Sequence, residues 1–292
     1  MMNALAKKYS NFASVALAVM SALHFICSYA LSQIATGENA VKYVLLTVFS
    51  AAICLLPALL LSRMAGQRTE EEIALEKSEN SPKRSDKIAV TAGGAALVYA
   101  VGMAYEKVFP NASANIPVTT ETPLYMHALM IIALCAAPAV CEEILFRHVI
   151  ARRFSVAGKA GAVIISAIAF GLAHFSSSMF PYAFFAGLVL GAVFFFTGSV
   201  KYSIAAHFFC NLTSYLFACA KLVMPHSAYS TLELVTVIAF FAASTLILSI
   251  NTKTTVDIFK RREGHAEAIS LITPAIAIYA VVISAVIILG GH

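Results

Sequence analysis

The chain has 292 residues, of which 60% are hydrophobic and only 12% charged, and its mean hydropathy is +0.83. Soluble domains carry about 25% charged residues, so this chain cannot clothe a water-soluble core of its size, and disorder, coiled coil and a disulfide-stapled secreted module are excluded by the same figures. The formal net charge of +5 points to no nucleic-acid partner, because in a chain whose main solvent is the bilayer the placement of the cations matters more than their sum.

Stretches of about 20 apolar residues mark membrane-crossing helices, since a backbone in lipid must satisfy its own hydrogen bonds. In chain order they run from Phe12 to Ile34, Tyr43 to Met64, Ile88 to Tyr105, Leu124 to Val149, Ala160 to Phe175, Phe180 to Thr197, Tyr202 to Met224, Leu232 to Ile250 and Leu271 to Leu289. The chain reads as an all-α polytopic membrane protein with about nine transmembrane helices, or eight if the short, glycine-rich third is incomplete. The first span follows Lys7 and Lys8 but is too long for a signal-peptide core and has no convincing cleavage site, so a retained helix is expected. The segment from Gly66 to Lys87, with Glu70, Glu71, Glu72, Lys77, Lys83 and Arg84, reads as a solvated cytoplasmic loop holding at most one short helix.

Cytoplasmic loops are enriched in Lys and Arg. With the N-terminus inside, all of the 20 lysines and arginines fall on the cytoplasmic side except Lys42, Lys107 and Lys221. A wrong number of spans would scramble that asymmetry, and it puts the C-terminus outside. Tyr43, Tyr105, Tyr125, Tyr182, Tyr202 and Tyr229 fall near span ends, where amphipathic rings sit. The 6 cysteines all lie within spans, form no CxxC pair, and read as small core residues. Asn111 opens an Asn-Ala-Ser sequon in an outside loop, relevant only to a eukaryotic host.

With most charge assigned to loops, Glu142 and Glu143 stand out inside the fourth span, where ionisable groups are costly and mark function by default. Three polar clusters emerge: Glu142-Glu143 with Arg147, Phe170 with His174, and His207 with Asn211. At 1.5 Å per residue from the cationic edge of each span, Glu142 lies about 16 Å deep, His174 about 22 Å, and His207 and Asn211 about 9 and 15 Å. The i,i+4 spacing puts each of the pairs Glu143/Arg147, Phe170/His174 and His207/Asn211 on one helix face. One shared cavity open to the cytoplasm follows. His24 and His127, by contrast, read as interhelical hydrogen-bond partners, and Glu143 with Arg147 can be a structural ion pair.

If Glu143 takes the arginine, Glu142 is left as a second acid whose ionisation is opposed by burial and by a like-charged neighbour, the setting of a general base. Hydrolysis would use Glu142 to activate water, His174 to orient it or carry its proton, and His207 with Asn211 to donate to the oxyanion. Alternatively Glu142, His174 and His207 could bind Zn2+ with an open fourth position. The residues leave the cofactor open between Zn2+ and none. No HExxH motif is present, and no serine or cysteine has an activating context.

At these residues the sequence resembles the CPBP family, the ABI or CAAX-protease-like intramembrane proteases, whose eukaryotic members are the type II CAAX prenyl endopeptidases. The family pattern, EExxxR, FxxxH and HxxxN on separate helices, is matched in order by Glu142, Glu143 and Arg147, by Phe170 and His174, and by His207 and Asn211. The run from Gly187-Leu-Val-Leu-Gly191 through Thr197-Gly198-Ser199 also looks like the family's approach to its last motif, and the Gly187/Gly191 pair lets a neighbouring helix come close. The likeness covers roughly residues 125 to 220; His148 stands where many relatives carry Gly. It implies Glu142 and His174 as the catalytic pair, His207 and Asn211 on the oxyanion side, and Glu143, Arg147 and Phe170 in support.

The expected organisation is an N-terminal part, 1–123, holding three spans and the charged loop 65–87; a catalytic core, 124–224, in helices 4 to 7; and a C-terminal part, 225–292, with two spans. The expected function is an intramembrane endopeptidase cutting a membrane-associated or lipidated, CAAX-like peptide or protein. The expected location is a bacterial cell membrane, or the endoplasmic reticulum in a eukaryote. Two rivals use the same residues: a non-catalytic scaffold or regulator of the bacteriocin-immunity type, and a proton-coupled transporter, which would be natural for intramembrane Glu and His but would show repeat symmetry that is not evident.

Overall fold

The computed structural model describes residues 1–35, 37–70, 72–73, 81–110, 116–260 and 266–289, and every regular element among them is helical. In chain order the elements are α1 (Met2–Ile34), α2 (Ala40–Ala65), α3 (Arg84–Val108), α4 (Leu124–Ala157), α5 (Lys159–Leu172), α6 (Phe180–Thr197), α7 (Val200–Val223), α8 (His226–Ile250), the short α9 (Thr252–Phe259) and α10 (Pro274–Leu289). Seven of them, α1 to α4 and α6 to α8, are long and apolar enough to cross a membrane; α5 and α10 are shorter apolar helices. Each expected span has a helix. The sequon at Asn111 lies outside the described residues, as do Glu71, Lys77, Arg261 and Arg262.

The third span is complete, with 25 residues. Its glycines mark close approach: a Cβ on Gly102 would stand 2.9 Å from the ring of Tyr182 on α6. The short member of the core is α5, whose 14 residues reach about 21 Å, less than a hydrocarbon core of about 30 Å. It stops at Leu172, before the expected Phe175, because the chain turns through Ala173 to Met179 into α6. His174 therefore sits just beyond a helix end.

The hydrogen-bonding of α4 is irregular. Wider π turns occupy Ile132–Ala136 and Ile144–Ala151, on either side of the α-helical Ala137–Glu143. Pro138 has no N–H to give to the turn before it, which accounts for the first irregularity; such turns recur at functional sites. The two π turns flank the adjacent acids Glu142 and Glu143.

In the charged segment after α2 one residue, Glu72, departs from the solvated loop expected there. Thr69 and Glu72 form a reciprocal cap, Thr69 N–H donating to Glu72 Oε2 at 2.6 Å and Glu72 N–H to Thr69 Oγ1 at 3.3 Å. Glu72 is buried, and its other carboxylate oxygen accepts from the Tyr9 hydroxyl of α1. Arg153, at the end of α4, lies over the Tyr9 ring at 5.1 Å and donates to the Gly66 carbonyl at 2.7 Å. This end of the bundle also holds the 2.7 Å bond from Ala266 N–H to the Val156 carbonyl. At the opposite end, Lys107 of α3 pairs with Glu233 of α8 at 2.5 Å, and Tyr105 donates to the Ser178 carbonyl at 2.6 Å. The alternation of helix ends agrees with the order of loops inferred from the cations. Tyr43, expected at an interface, is fully buried and donates to Glu38. The cysteines are free thiols, and all but Cys219 are buried.

Close packing of α6 on α5 is what brings the site helices together. A Cβ on Gly187 would fall 2.9 Å from the backbone Cα of Ala167, and one on Gly191 would meet only the side chain of Val163, at 3.1 Å. Backbone cannot yield as a side chain can. Gly187→Ala is therefore expected to destabilise the detergent-solubilised protein by about 1–3 kcal/mol, read as a lower midpoint of thermal unfolding, with Gly191→Ala costing less; an equal effect at both positions would contradict this packing.

Candidate active site

Three helices deliver the polar residues. From α4 come Glu142, which is half-buried, and Glu143 and Arg147, which are fully buried at 0% exposure. From the turn after α5 comes His174, and from α7 come His207, buried, and Asn211, half-buried. His174 does not share a helix face with Phe170 in the expected way, since α5 ends between them. The four-residue spacing still joins the two: His174 Nδ1 lies 2.9 Å from the Phe170 carbonyl and the rings are 5.0 Å apart.

Glu143 is the hub. Its Oε1 accepts from Arg147 Nη1 at 2.8 Å and from His207 Nδ1 at 3.1 Å, so one carboxylate oxygen ties α4 to α7. Arg147 extends the network. Its Nη2 donates to the Gly187 carbonyl of α6 at 3.2 Å, and its guanidinium lies 4.3 Å from the centre of the Phe170 ring. The Phe170 ring in turn lies 6.0 Å from that of His207. A charge pair at this depth is costly to form, but removing one partner would leave the other charge uncompensated. Glu142 takes no part in the network: among the described residues it has no hydrogen bond or ion pair.

Hydrogen-bond direction fixes what the imidazoles can do. A carbonyl only accepts, so His174 carries its proton on Nδ1, and a neutral His174 keeps Nε2 as an acceptor. His207 likewise donates through Nδ1 to the Glu143 carboxylate, and its Nε2 becomes a donor only when the ring is protonated. Asn211 Nδ2 reaches the Leu134 carbonyl at a long 3.5 Å. Leu134 is four residues before Pro138, the turn that the proline's missing N–H leaves short of a donor.

Glu142, His174, His207 and Asn211 all line one cavity of about 170 Å3, together with Phe170, Cys210, Pro138 and Tyr182 and the apolar Val98, Met179, Ala183, Ala186 and Leu190. At about 30 Å3 per water it has room for several. Tyr182, expected in an interfacial belt, instead lines this cavity beneath Gly102, and Val98 of α3 contributes from outside the motif-bearing helices; no pattern in the sequence marked either. His148 points away, exposed, with its Nδ1 3.3 Å from Arg152. His127 bonds the Tyr215 hydroxyl across helices at 2.6 Å, as expected for a structural histidine.

The turn holding His174 is strained. Phe175 has φ 49°, and no other non-glycine residue among those described has a positive φ. That conformation costs an L-residue about 1–2 kcal/mol, and helix ends of this kind favour glycine.

Among the described residues no three His, Cys, Asp or Glu side chains group closely enough to hold a metal ion. Glu142, His174 and His207 share a cavity without forming a coordination sphere.

The hub generates a stability expectation. Arg147→Ala should cost about 3–5 kcal/mol, seen as loss of monodisperse protein after detergent extraction. Arg147→Lys, which keeps the charge but not the fork or the flat ring contact, should fall between that variant and wild type; a fully stable Arg147→Ala protein would contradict the hub.

Comparison with known proteins adds one finding. No curated protein and no solved structure matches the chain. Residues 124–213 match the family model described as Type II CAAX prenyl endopeptidase Rce1-like. The match begins at the first residue of α4 and ends two residues beyond Asn211, and so takes in every motif residue lining the cavity. Over that segment, which carries the site, the chain is similar to the Rce1-like type II CAAX prenyl endopeptidases.

Proposed function

We propose that the protein is an intramembrane endopeptidase that hydrolyses a peptide bond of a membrane-associated or lipidated, CAAX-like substrate with Glu142-activated water. The observation that carries this reading is the convergence of Glu142, His174, His207 and Asn211 on one cavity within the segment that matches an endopeptidase family. A water held between Glu142 and His174 Nε2 gives a proton to the Glu142 carboxylate as its oxygen attacks the substrate carbonyl carbon. The carbonyl π electrons move onto oxygen. That oxyanion accepts from the second Nδ2 hydrogen of Asn211 and from Nε2 of the His207 imidazolium, which Glu143 holds in place. Collapse of the intermediate breaks the C–N bond, and the proton taken from water returns to the leaving amine.

Glu142 and Glu143 thus divide two tasks between adjacent positions. Glu143 spends its charge on Arg147 and His207, whereas among the described residues Glu142 accepts no hydrogen bond that would compete with water. The apolar part of the lining suits an extended, greasy peptide segment. The distribution of cations supports a cavity open to the cytoplasmic side, with the N-terminus inside. A scaffold has less use for an ionisable side chain in the membrane without a partner, and nothing in the arrangement favours a transporter.

Glu142→Gln keeps the shape and removes the base. Loss of cleavage by about 100-fold or more, with unchanged extraction and oligomeric behaviour, is the expected result; full turnover by this variant would sink the mechanism. Metal is tested separately. Turnover should persist in protein stripped by chelator and shown by mass spectrometry to hold no stoichiometric zinc, while loss of activity that zinc alone restores would overturn the side-chain mechanism.

A further inference from the structure

The left-handed residue next to His174 is held by a helix far away in sequence. The His24 ring of α1 stacks on the Phe175 ring with centroids 4.2 Å apart and planes 25° apart, and Phe25 packs on the same ring at 5.2 Å. Among the described residues His24 makes no side-chain hydrogen bond, and its interhelical contact is this ring stack instead of the hydrogen bond expected for it.

A strained backbone persists only where its surroundings over-determine it. At Phe175 a glycine would carry no strain, yet a large aromatic stands there, and its ring is clasped by His24 and Phe25. The backbone on its N-terminal side is set by two tight turns, His174 N–H to the Gly171 carbonyl at 3.2 Å and Phe175 N–H to the Leu172 carbonyl at 3.1 Å. Anything that moves the Phe175 ring rotates the peptide that carries His174. We infer that His24 is a positioning residue, whose stack on Phe175 fixes the turn and thereby the direction in which His174 presents Nε2 to the cavity. α1 lies outside the matched segment 124–213, so this brings a helix from beyond the motif-bearing segment into the working site. The effect on turnover rests on the peptidase reading; the effect on His174 does not.

The experiment is solution NMR of the full chain in detergent micelles with ring-15N histidine, the His174 signals being assigned by their disappearance in His174→Gln. Wild type should show the Nδ1–H form that the bond to the Phe170 carbonyl requires. His24→Ala should lose that signature to an averaged or broadened one, as should Phe175→Gly, whose backbone is free of strain and which therefore guards against a simple folding failure. His24→Phe, which keeps a flat ring and discards the imidazole, should restore the wild-type signature. In parallel, kcat should fall about tenfold in His24→Ala with KM little changed and recover in His24→Phe. An unaltered His174 signature in His24→Ala would overturn the inference whether or not the chain cleaves peptides, and so would a His24→Phe protein that behaves like His24→Ala.

Discussion

A single carboxylate oxygen, Oε1 of Glu143, receives hydrogen bonds from Arg147 on its own helix and from His207 on α7. The rest of the site is arranged around that contact. At zero exposure for both Glu143 and Arg147, the pair relies on protein contacts, and the guanidinium also reaches the Gly187 carbonyl and the face of Phe170. Those two contacts recruit α6 and α5. The Phe170 carbonyl then anchors His174. Four helices are thereby tied to one buried charge, and the cavity is the space left between them.

Backbone irregularity is what lets the neighbouring acid do something different. Side chains at consecutive positions of a helix do not face one another, so Glu142 and Glu143 cannot share the same partners. The π turns that flank them reset the facing of α4 on both sides, and Pro138 supplies the reason for the first. The shortness of α5 has a similar consequence at the other wall. Because the helix stops at Leu172, His174 is carried by a turn and needs support from outside the hairpin, which is where α1 enters through His24.

Much of this was legible in the residues. The spans and their alternation followed from apolar length and from the sidedness of cations, and the scarcity of charge isolated Glu142 and Glu143 at once. The i,i+4 spacings placed Glu143 against Arg147 without any structure. Three things were hidden. A hydropathy window is blind to hydrogen-bond register, so it extended α5 to Phe175 and missed the π turns. Glycine in α3 looked like weak helix because composition cannot show that Tyr182 of α6 occupies the space beside Gly102. Glu72, in a mixed-charge run, looked solvated because a partner 63 positions away, Tyr9, is not visible locally.

The two adjacent acids are the sharpest feature of the account, since chemically identical side chains one residue apart are assigned opposite work: one holds the helices, the other is free to meet water. Thermal unfolding of Glu142→Gln and Glu143→Gln in the same detergent separates those assignments without needing a substrate. The account requires a midpoint several degrees lower for Glu143→Gln, consistent with losing a buried charge partner worth about 3–5 kcal/mol, and a midpoint within a degree or so of wild type for Glu142→Gln, given roughly no lost contact. Equal losses in the two variants, or a larger loss in Glu142→Gln, would contradict it.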